Sequence, residues 1–409
     1  MKRIRVEKLF GHLNYDIDLS DSNIIIITGP NGYGKTMLLS IIDNILNNNL
    51  DDLIPLKFFT IKAWLIDDTF IYIHNSGNDF TLKIVSSNGV DIYSKEININ
   101  SSEQETSIFS NLSIKFKPIS FLSDEKEKKV FKIPDDIFKE YIEKYRSTFI
   151  KTQRIQQDDE NKNSICNRAK ILSDLMSQVS EKSSIIAQSL DSTFPFRLSE
   201  KFNSRVSFQR TSNAKDRLLG VEAIKNKYNR YNLIETDEEG HSAENISFEA
   251  IREYSELWDL YIEDSLKKLN PFDELYKKLD LFASLIEEKF FSFKSLQINR
   301  EKGFYFTSQL YDKEIIPLNK LSSGEQNQII LYFDMIFNSS KNSIILIDEP
   351  EISLHLGWQK EFYSSINTIV NLVKPAKIII ATHSPNIIDN NWDITRDLYS
   401  LSEGFNREN

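Results

Sequence analysis

The sequence predicts an α/β fold with a mixed sheet, to which an antiparallel β subdomain and a helical insertion are attached. Three observations carry that prediction. Asn23–Thr28 (NIIIIT), Ser343–Pro350 (SIILIDEP) and Lys377–Thr382 (KIIIAT) are short continuous aliphatic runs, the pattern of strands buried on both faces of a parallel sheet. A glycine-rich loop joins the first run to a helical pattern, Met37–Leu46 (MLLSIIDNIL). Between about 158 and 290, apolar residues recur at helical spacing.

Taken in order, residues 2–19 read as a hairpin. Ile4 and Val6 alternate with charges, Leu9-Phe10 breaks the alternation before a turn at Gly11, and Leu13, Tyr15, Ile17 and Leu19 alternate again. An acidic, Asn-rich break follows the loop helix. From Leu56 to Ile119 the chain reads as a meander of short strands, KFFTIKAWLI, FIYIHN, FTLKIVS, DIYSKEINI and LSIKFKPI, with turns at Asp67-Asp68, Ser76-Gly77-Asn78 and Ser87-Asn88-Gly89. Residues 124–146 are charged and helical in character, and Ser147–Ile155 reads as a further strand. In the helical insertion Leu172, Met176 and Val179 share one face, and Leu275, Leu279, Phe282 and Ile286 form a short coiled-coil-like seam that Pro271 limits on its N-terminal side. A stubby antiparallel hairpin would satisfy both patterns. Residues 208–245 are polar and poorly patterned, the composition of a loop. Strands return at Phe293–Ile298, Phe304–Gln309 and Lys313–Leu318. The expected division is therefore 1–155, 156–290 and 291–409.

Composition sets the class. The 409 residues are 40% hydrophobic and 27% charged, as in ordinary globular proteins, with enough chain for a large core. A net charge of −10 argues against a broad nucleic-acid footprint and leaves only a local basic strip open. The single cysteine, Cys166, excludes an internal disulfide or a CxxC metal site and fits a reducing, cytoplasmic compartment. No apolar run is long enough to span a bilayer, and MKRIRVEKLF lacks the apolar core of a signal peptide.

The chemistry starts at Gly29-Pro30-Asn31-Gly32-Tyr33-Gly34-Lys35-Thr36, a phosphate-binding G-x-x-x-x-G-K-[ST] loop in its strand–loop–helix setting. Glycines let the backbone of Asn31–Met37 turn its N–H groups toward phosphate oxygens, and the helix N-terminus adds positive dipole. Lys35 would reach the β- and γ-phosphates of ATP, and Thr36 would offer its hydroxyl to Mg2+. Asp348 and Glu349 end the second aliphatic run, where open α/β sheets bind ligands. A solvated acidic turn is the plain alternative; the functional one is Asp348 on Mg2+ and Glu349 as general base. His383 ends the third run, placed either structurally or to sense the γ-phosphate and steady the attacking water. Leu321–Gln326 (LSSGEQ) opens a helix. Ser322 with Glu325 makes a capping box, and the same N-terminus aims dipole and N–H groups at any nearby phosphate.

In this order the phosphate loop, LSSGEQ, IILIDEP and ATHS resemble the ABC-type ATPases. Within that class the chain is more similar to the SMC and overcoming-lysogenization-defect branch than to transporters. EPEISLHLGWQ resembles that branch's D-loop, with Leu356 where relatives often carry proline, and Ser323 stands at a signature position where glycine is also found. The resemblance implies a P-loop NTPase of ABC type that dimerises head to tail around two ATP molecules. Each nucleotide would lie between one subunit's loop and Ser322, Ser323, Gly324 and Glu325 of the other. It also implies that Gln153 completes Mg2+ coordination as the Q-loop glutamine. LSSGEQNQIILYFDMIF, IDEPEISLHLGWQ, ATHSPNIIDNNWDI and LDSTFPFRL further resemble the AriA-type ATPase subunits of PARIS anti-phage systems, with the PtuA type of Septu and retron systems as a near alternative. That resemblance implies a scaffold that holds a separately encoded Toprim-like toxin or nuclease and releases it on sensing a phage protein. The chain reaches Asn409 soon after His383, so no Toprim nuclease domain is expected within it. An SMC-like DNA-repair ATPase is the alternative. A transporter domain fits less well, because the interval between Lys35 and Gly324 is too long for a compact one.

Overall fold

The computed structural model describes residues 1–98, 131–152, 164–203, 214–234, 243–287, 293–310, 313–352 and 354–402. In chain order the strands and helices begin with β1 (Arg3–Leu9), β2 (Leu13–Asp18), β3 (Ile24–Thr28), α1 (Lys35–Leu46), β4 (Thr60–Trp64), β5 (Phe70–Asn75), β6 (Asp79–Val85) and β7 (Asp91–Asn98). They continue with α2 (Asp135–Tyr141), β8 (Ser147–Ile150), α3 (Ser164–Asn203), α4 (Ala214–Asn229), α5 (Phe248–Glu253), α6 (Ser255–Leu269) and α7 (Asp273–Glu287). The remainder is β9 (Lys294–Asn299), β10 (Gly303–Ser308), β11 (Ile315–Ile316), α8 (Ser323–Phe337), β12 (Ile344–Asp348), α9 (Leu356–Val373), β13 (Lys377–Ala381), α10 (Pro385–Ile388) and β14 (Thr395–Asp397). Two compact units result, Met1–Glu160 with Leu331–Asn409, and Asn161–Ile330.

In the first unit, β14-β3-β13-β12-β8 form a sheet in which every pairing is parallel. All five residues of β12 and of β13 are buried, which is why both read as unbroken aliphatic runs. A second sheet, β2-β1-β4-β5-β6-β7, is antiparallel throughout and alternates buried with half-exposed residues along β5 and β6. Helix α1 brings the two sheets into one core. Leu38, Leu39, Ile42 and Ile45 cluster with Ile25, Ile27, Leu346 and Ile379 of the parallel sheet and with Ile61, Ile71, Ile73 and Leu82 of the antiparallel one. The α/β class is as predicted, with parallel and antiparallel strands sorted into separate sheets. Register places Asp348 beside Ala381, and Ala381 beside Ile27, so the C-terminal ends of β12, β13 and β3 finish level with one another.

In the second unit, α3 runs antiparallel to α6. Ser183 bonds Lys268, Asp191 pairs with Lys268, Arg197 with Asp264, and Lys201 with Glu263, so partners descend as α3 ascends. Arg197 binds Asp264 bidentately, at 2.6 and 2.7 Å. A three-stranded antiparallel sheet, β11-β10-β9, packs on α3 through Gly303. A Cβ there would sit 1.8 Å from the carbonyl oxygen of Ala169, and φ is +70°, so only glycine fits. This contact gathers β9, β10 and β11 with the helices, whereas the sequence grouped residues 291–330 with the second ATPase lobe.

Other expectations are corrected. Much of the polar stretch 208–245 is helix α4, which buries Ala214, Leu218, Val221 and Tyr228 on one face. The charged stretch 124–146 contributes only a short helix, α2, and a single 3-10 turn, Glu143–Tyr145, among the described residues. The strand expected over Ser147–Ile155 stops at Ile150, and that over Lys313–Leu318 shortens to Ile315–Ile316. The LSIKFKPI strand lies outside the described residues. Among those described, no helix is long and apolar enough to cross a membrane.

Candidate functional site

The loop between β3 and α1 takes positive φ at Gly29 (+145°), Gly32 (+87°) and Gly34 (+75°). Gly34 stands at the N-cap of α1, where a Cβ would meet Leu9 at 3.2 Å and Phe10 at 3.3 Å. Glycine there meets both the left-handed backbone and the close approach of the β1–β2 turn. The Tyr15 hydroxyl donates to the Tyr33 carbonyl at 2.7 Å and anchors the loop's midpoint. Asn31 and Gly32 are exposed, while Met37 and the ring of Tyr33 pack against the core.

Lys35 is buried at the start of α1, and its ammonium donates to the Gly29 carbonyl at 3.0 Å. It also touches His383 Nε2 and lies 3.8 Å from Glu349 Oε1. His383 Nε2 is in turn 3.3 Å from the same Glu349 oxygen. Thr36 Oγ1 lies 3.0 and 3.1 Å from the two Asp348 oxygens, and the Thr152 hydroxyl donates to Asp348 Oδ2. Six side chains drawn from positions 35 to 383 thus meet where β3, β12 and β13 end, the ligand-binding edge of a parallel sheet.

Backbone geometry sharpens the cluster. Glu349 has φ +44°, a left-handed conformation costly for a residue with a side chain, while its N–H still bonds Ala381 at 2.9 Å. The chain therefore turns sharply straight after the strand and delivers Glu349 toward Lys35 and His383. Burial first, and then the adjacent Glu351 carboxyl, push the Glu349 carboxyl up to about 8. Burial lowers Lys35 against the opposing pull of Glu349, Asp348 and Glu351. Burial and the Lys35 charge lower His383, favouring the neutral imidazole.

The structure thus brings Lys35, Thr36, Asp348, Glu349 and His383 together. Ser322, Ser323, Gly324 and Glu325 belong to the second unit. There the capping box forms, with Ser322 N–H donating to Glu325 Oε2 at 2.8 Å and Glu325 N–H to Ser322 Oγ at 3.3 Å, and Lys294 holds the Glu325 carboxylate at 2.6 and 2.8 Å. Gln153 lies outside the described residues. Sequence reasoning missed Thr152 and Glu351. The only available signals were Thr152's place at the end of a core strand beside Gln153, and a second carboxylate two residues after Glu349.

The sequence profile of the AAA ATPase domain family AAA_15 matches residues 1–388. The chain belongs to this family of AAA ATPase domains. It is therefore an ATP-binding ATPase of the P-loop class. Protein ea59 of Escherichia phage lambda is 28% identical over 127 residues, which are 31% of this chain and 23% of that protein, so the chain spans less than a quarter of that relative. Among solved structures, the Pyrococcus furiosus Smc head domain bound to the C-terminal domain of ScpA is 13% identical, covers 95% of this chain and 91% of that one, and has a TM-score of 0.41. The SMC head domain of Thermotoga maritima is 12% identical, with 95% and 90% covered and a TM-score of 0.35.

Proposed function

We propose that the chain hydrolyses ATP at the Lys35, Thr36, Asp348, Glu349 and His383 cluster, as the ATPase subunit of a bacterial anti-phage defence complex that controls a separately encoded effector. The observation that carries the chemistry is that the loop lysine stands 3.8 Å from a half-buried carboxyl, which is itself 3.3 Å from an imidazole, where three strands end. In this reading the backbone of Asn31–Met37 cradles the phosphates and Lys35 exchanges its contacts with Glu349 and His383 for phosphate oxygens. In its ionised form Glu349 takes the proton of the attacking water, and His383 orients that water or the γ-phosphate.

The donor set near Thr36 suits Mg2+. A hydroxyl and a buried carboxylate lie within 3.1 Å of each other, both hard oxygen donors, and Mg2+ is usually held by one or two carboxylates together with nucleotide phosphates and water. Among the described residues no group of three or more His, Cys, Asp or Glu forms a metal cage of its own, which agrees with a metal that arrives with its nucleotide. Thr36 and Asp348 would hold it, with Gln153 as the further ligand. Bound there, Mg2+ would neutralise charge on the β- and γ-phosphates.

The role in defence is supported by the sequence resemblance of the LSSGEQ, IDEPEISLHLGWQ and ATHSPNIIDNNWDI stretches to AriA-type and PtuA-type subunits. Two copies would sandwich ATP, Ser322–Glu325 of one facing the loop of the other. Mixing Lys35→Ala protein with Ser323→Arg protein should then restore hydrolysis that neither variant shows alone; no recovery on mixing would rule out a shared site. Co-purification with the product of a neighbouring toxin or nuclease gene, sized by light scattering, tests the partner. A DNA-repair ATPase is the second reading, favoured by the antiparallel α3–α6 pair, which resembles the base of a coiled-coil arm. ATP hydrolysis stimulated by DNA, with no effector captured, would select it.

A further inference from the structure

We infer that Glu351 is a positioning residue for ATP hydrolysis: its carboxylate ties the turn after β12 to the turn after β13 and so sets where His383 stands. Oε1 of Glu351 accepts from the Thr382 hydroxyl at 2.7 Å, the His383 N–H at 2.8 Å and the Ser384 N–H at 3.1 Å. Three consecutive residues of the β13 turn are thus held by one oxygen. The clamp is reinforced from both sides. Ser384 N–H also bonds the Thr382 hydroxyl at 2.9 Å, and the Ser384 hydroxyl bonds Gln359 Oε1 of α9 at 2.8 Å. Thr382 N–H bonds the Ile27 carbonyl at 3.1 Å, which references the turn to the strand that carries the phosphate loop.

The arrangement explains a requirement that strand pairing leaves open. Pairing of β12 with β13 ends at Asp348 and Ala381. Beyond that point the backbone bonds reach Glu349, through its N–H on the Ala381 carbonyl, and Thr382, through its N–H on the Ile27 carbonyl, but not His383, whose side chain nonetheless stands 3.3 Å from that of Glu349. Glu351 supplies the missing constraint, because it follows Glu349 on the same turn and grips the backbone of His383 itself. A displacement of about 1 Å in such a group costs on the order of a hundredfold in rate. The inference rests on the role given to His383 above.

The test is a double-mutant cycle in steady-state ATP hydrolysis by the full chain with Mg2+, with thermal melting confirming that each variant is folded. Glu351→Ala should lower kcat about ten- to a hundredfold while KM for ATP moves less than about threefold. Glu351→Gln keeps an acceptor oxygen in the same place and should retain kcat within about threefold. In a His383→Ala background, Glu351→Ala should add less than about a twofold further loss, since the residue acts through His383. The inference is overturned if folded Glu351→Ala hydrolyses at the parental rate, if Glu351→Gln loses as much as Glu351→Ala, or if the two losses multiply in the double variant. A parental rate in His383→Ala beside a slow Glu351→Ala also overturns it. Absence of any hydrolysis by the parent chain would instead sink the functional reading, which keeps the two failures apart.

Discussion

Replacing Glu349 by Gln should stabilise the nucleotide-free protein at alkaline pH, and the structure sets the size of the effect. The Glu349 carboxyl is pushed from 4.5 up to about 8, first by burial and then by Glu351 beside it. Below 4.5 the group is protonated in folded and unfolded chains alike, and its stabilising contribution is whole. Between 4.5 and about 8 the folded protein keeps a proton that the unfolded chain has released, so stability falls as pH rises. At ~1.4 kcal/mol per pH unit, holding the ionised carboxylate at pH 8 costs the folded state on the order of 4 kcal/mol. A glutamine of the same shape never ionises. Part of the gain is offset because its amide must find partners beside Glu351 and His383, so we expect about 2 kcal/mol at pH 8, or roughly 4 °C in Tm. Calorimetric melting of parent and variant at pH 5, 6.5 and 8 measures it. The difference should grow by about 3 kcal/mol from pH 5 to pH 8 and change sign, the variant being the less stable protein at pH 5, where ionisation of the carboxyl costs under about 1 kcal/mol and the amide's offset remains. An equal difference at all three values, or a less stable variant at pH 8, would refute the account of why this carboxyl is protonated.

Two further outcomes follow from single side chains. Lys35→Ala removes the loop's ammonium while leaving its glycine turns in place, and titration calorimetry should register at least about a hundredfold loss of ATP affinity. Gly303→Ala would force a Cβ to 1.8 Å from the Ala169 carbonyl at a φ of +70°, so α3 and β10 must separate. Chemical denaturation should show a loss of about 3 kcal/mol or more, and a loss under about 1 kcal/mol would mean the close helix–strand contact does not form.

What was legible in the sequence follows from burial. Strands β3, β12 and β13 are covered on both faces, so each had to be written as an aliphatic run, and the candidate site residues stand at or shortly after its C-terminal end. The phosphate loop, Asp348, Glu349 and His383 could therefore be read directly. Helix α4 was missed because its four buried residues are spread over 16 positions, interrupted by Gly220, within an otherwise charged segment. Strand β14 is three half-buried residues at a sheet edge, too short to leave a periodic trace. Thr152 and Glu351 were missed for a different reason. Their importance comes from contacts with residues far away in the chain or across a turn, and a place after a core strand or a second carboxylate two residues after Glu349 is only a faint mark of that. Gly303 gave no sign either, since its constraint is a helix more than a hundred residues earlier that passes within contact of its backbone.

The central claim is that ATP is hydrolysed where β3, β12 and β13 end, with Glu349 as the base. It is tested most directly by measuring Mg2+-dependent phosphate release from parent and Glu349→Gln proteins, with ATP binding recorded on the same samples. The account predicts that the variant binds ATP within about threefold of the parent and turns it over at about 1% of the parental rate or less. A variant that releases phosphate as fast as the parent would contradict it.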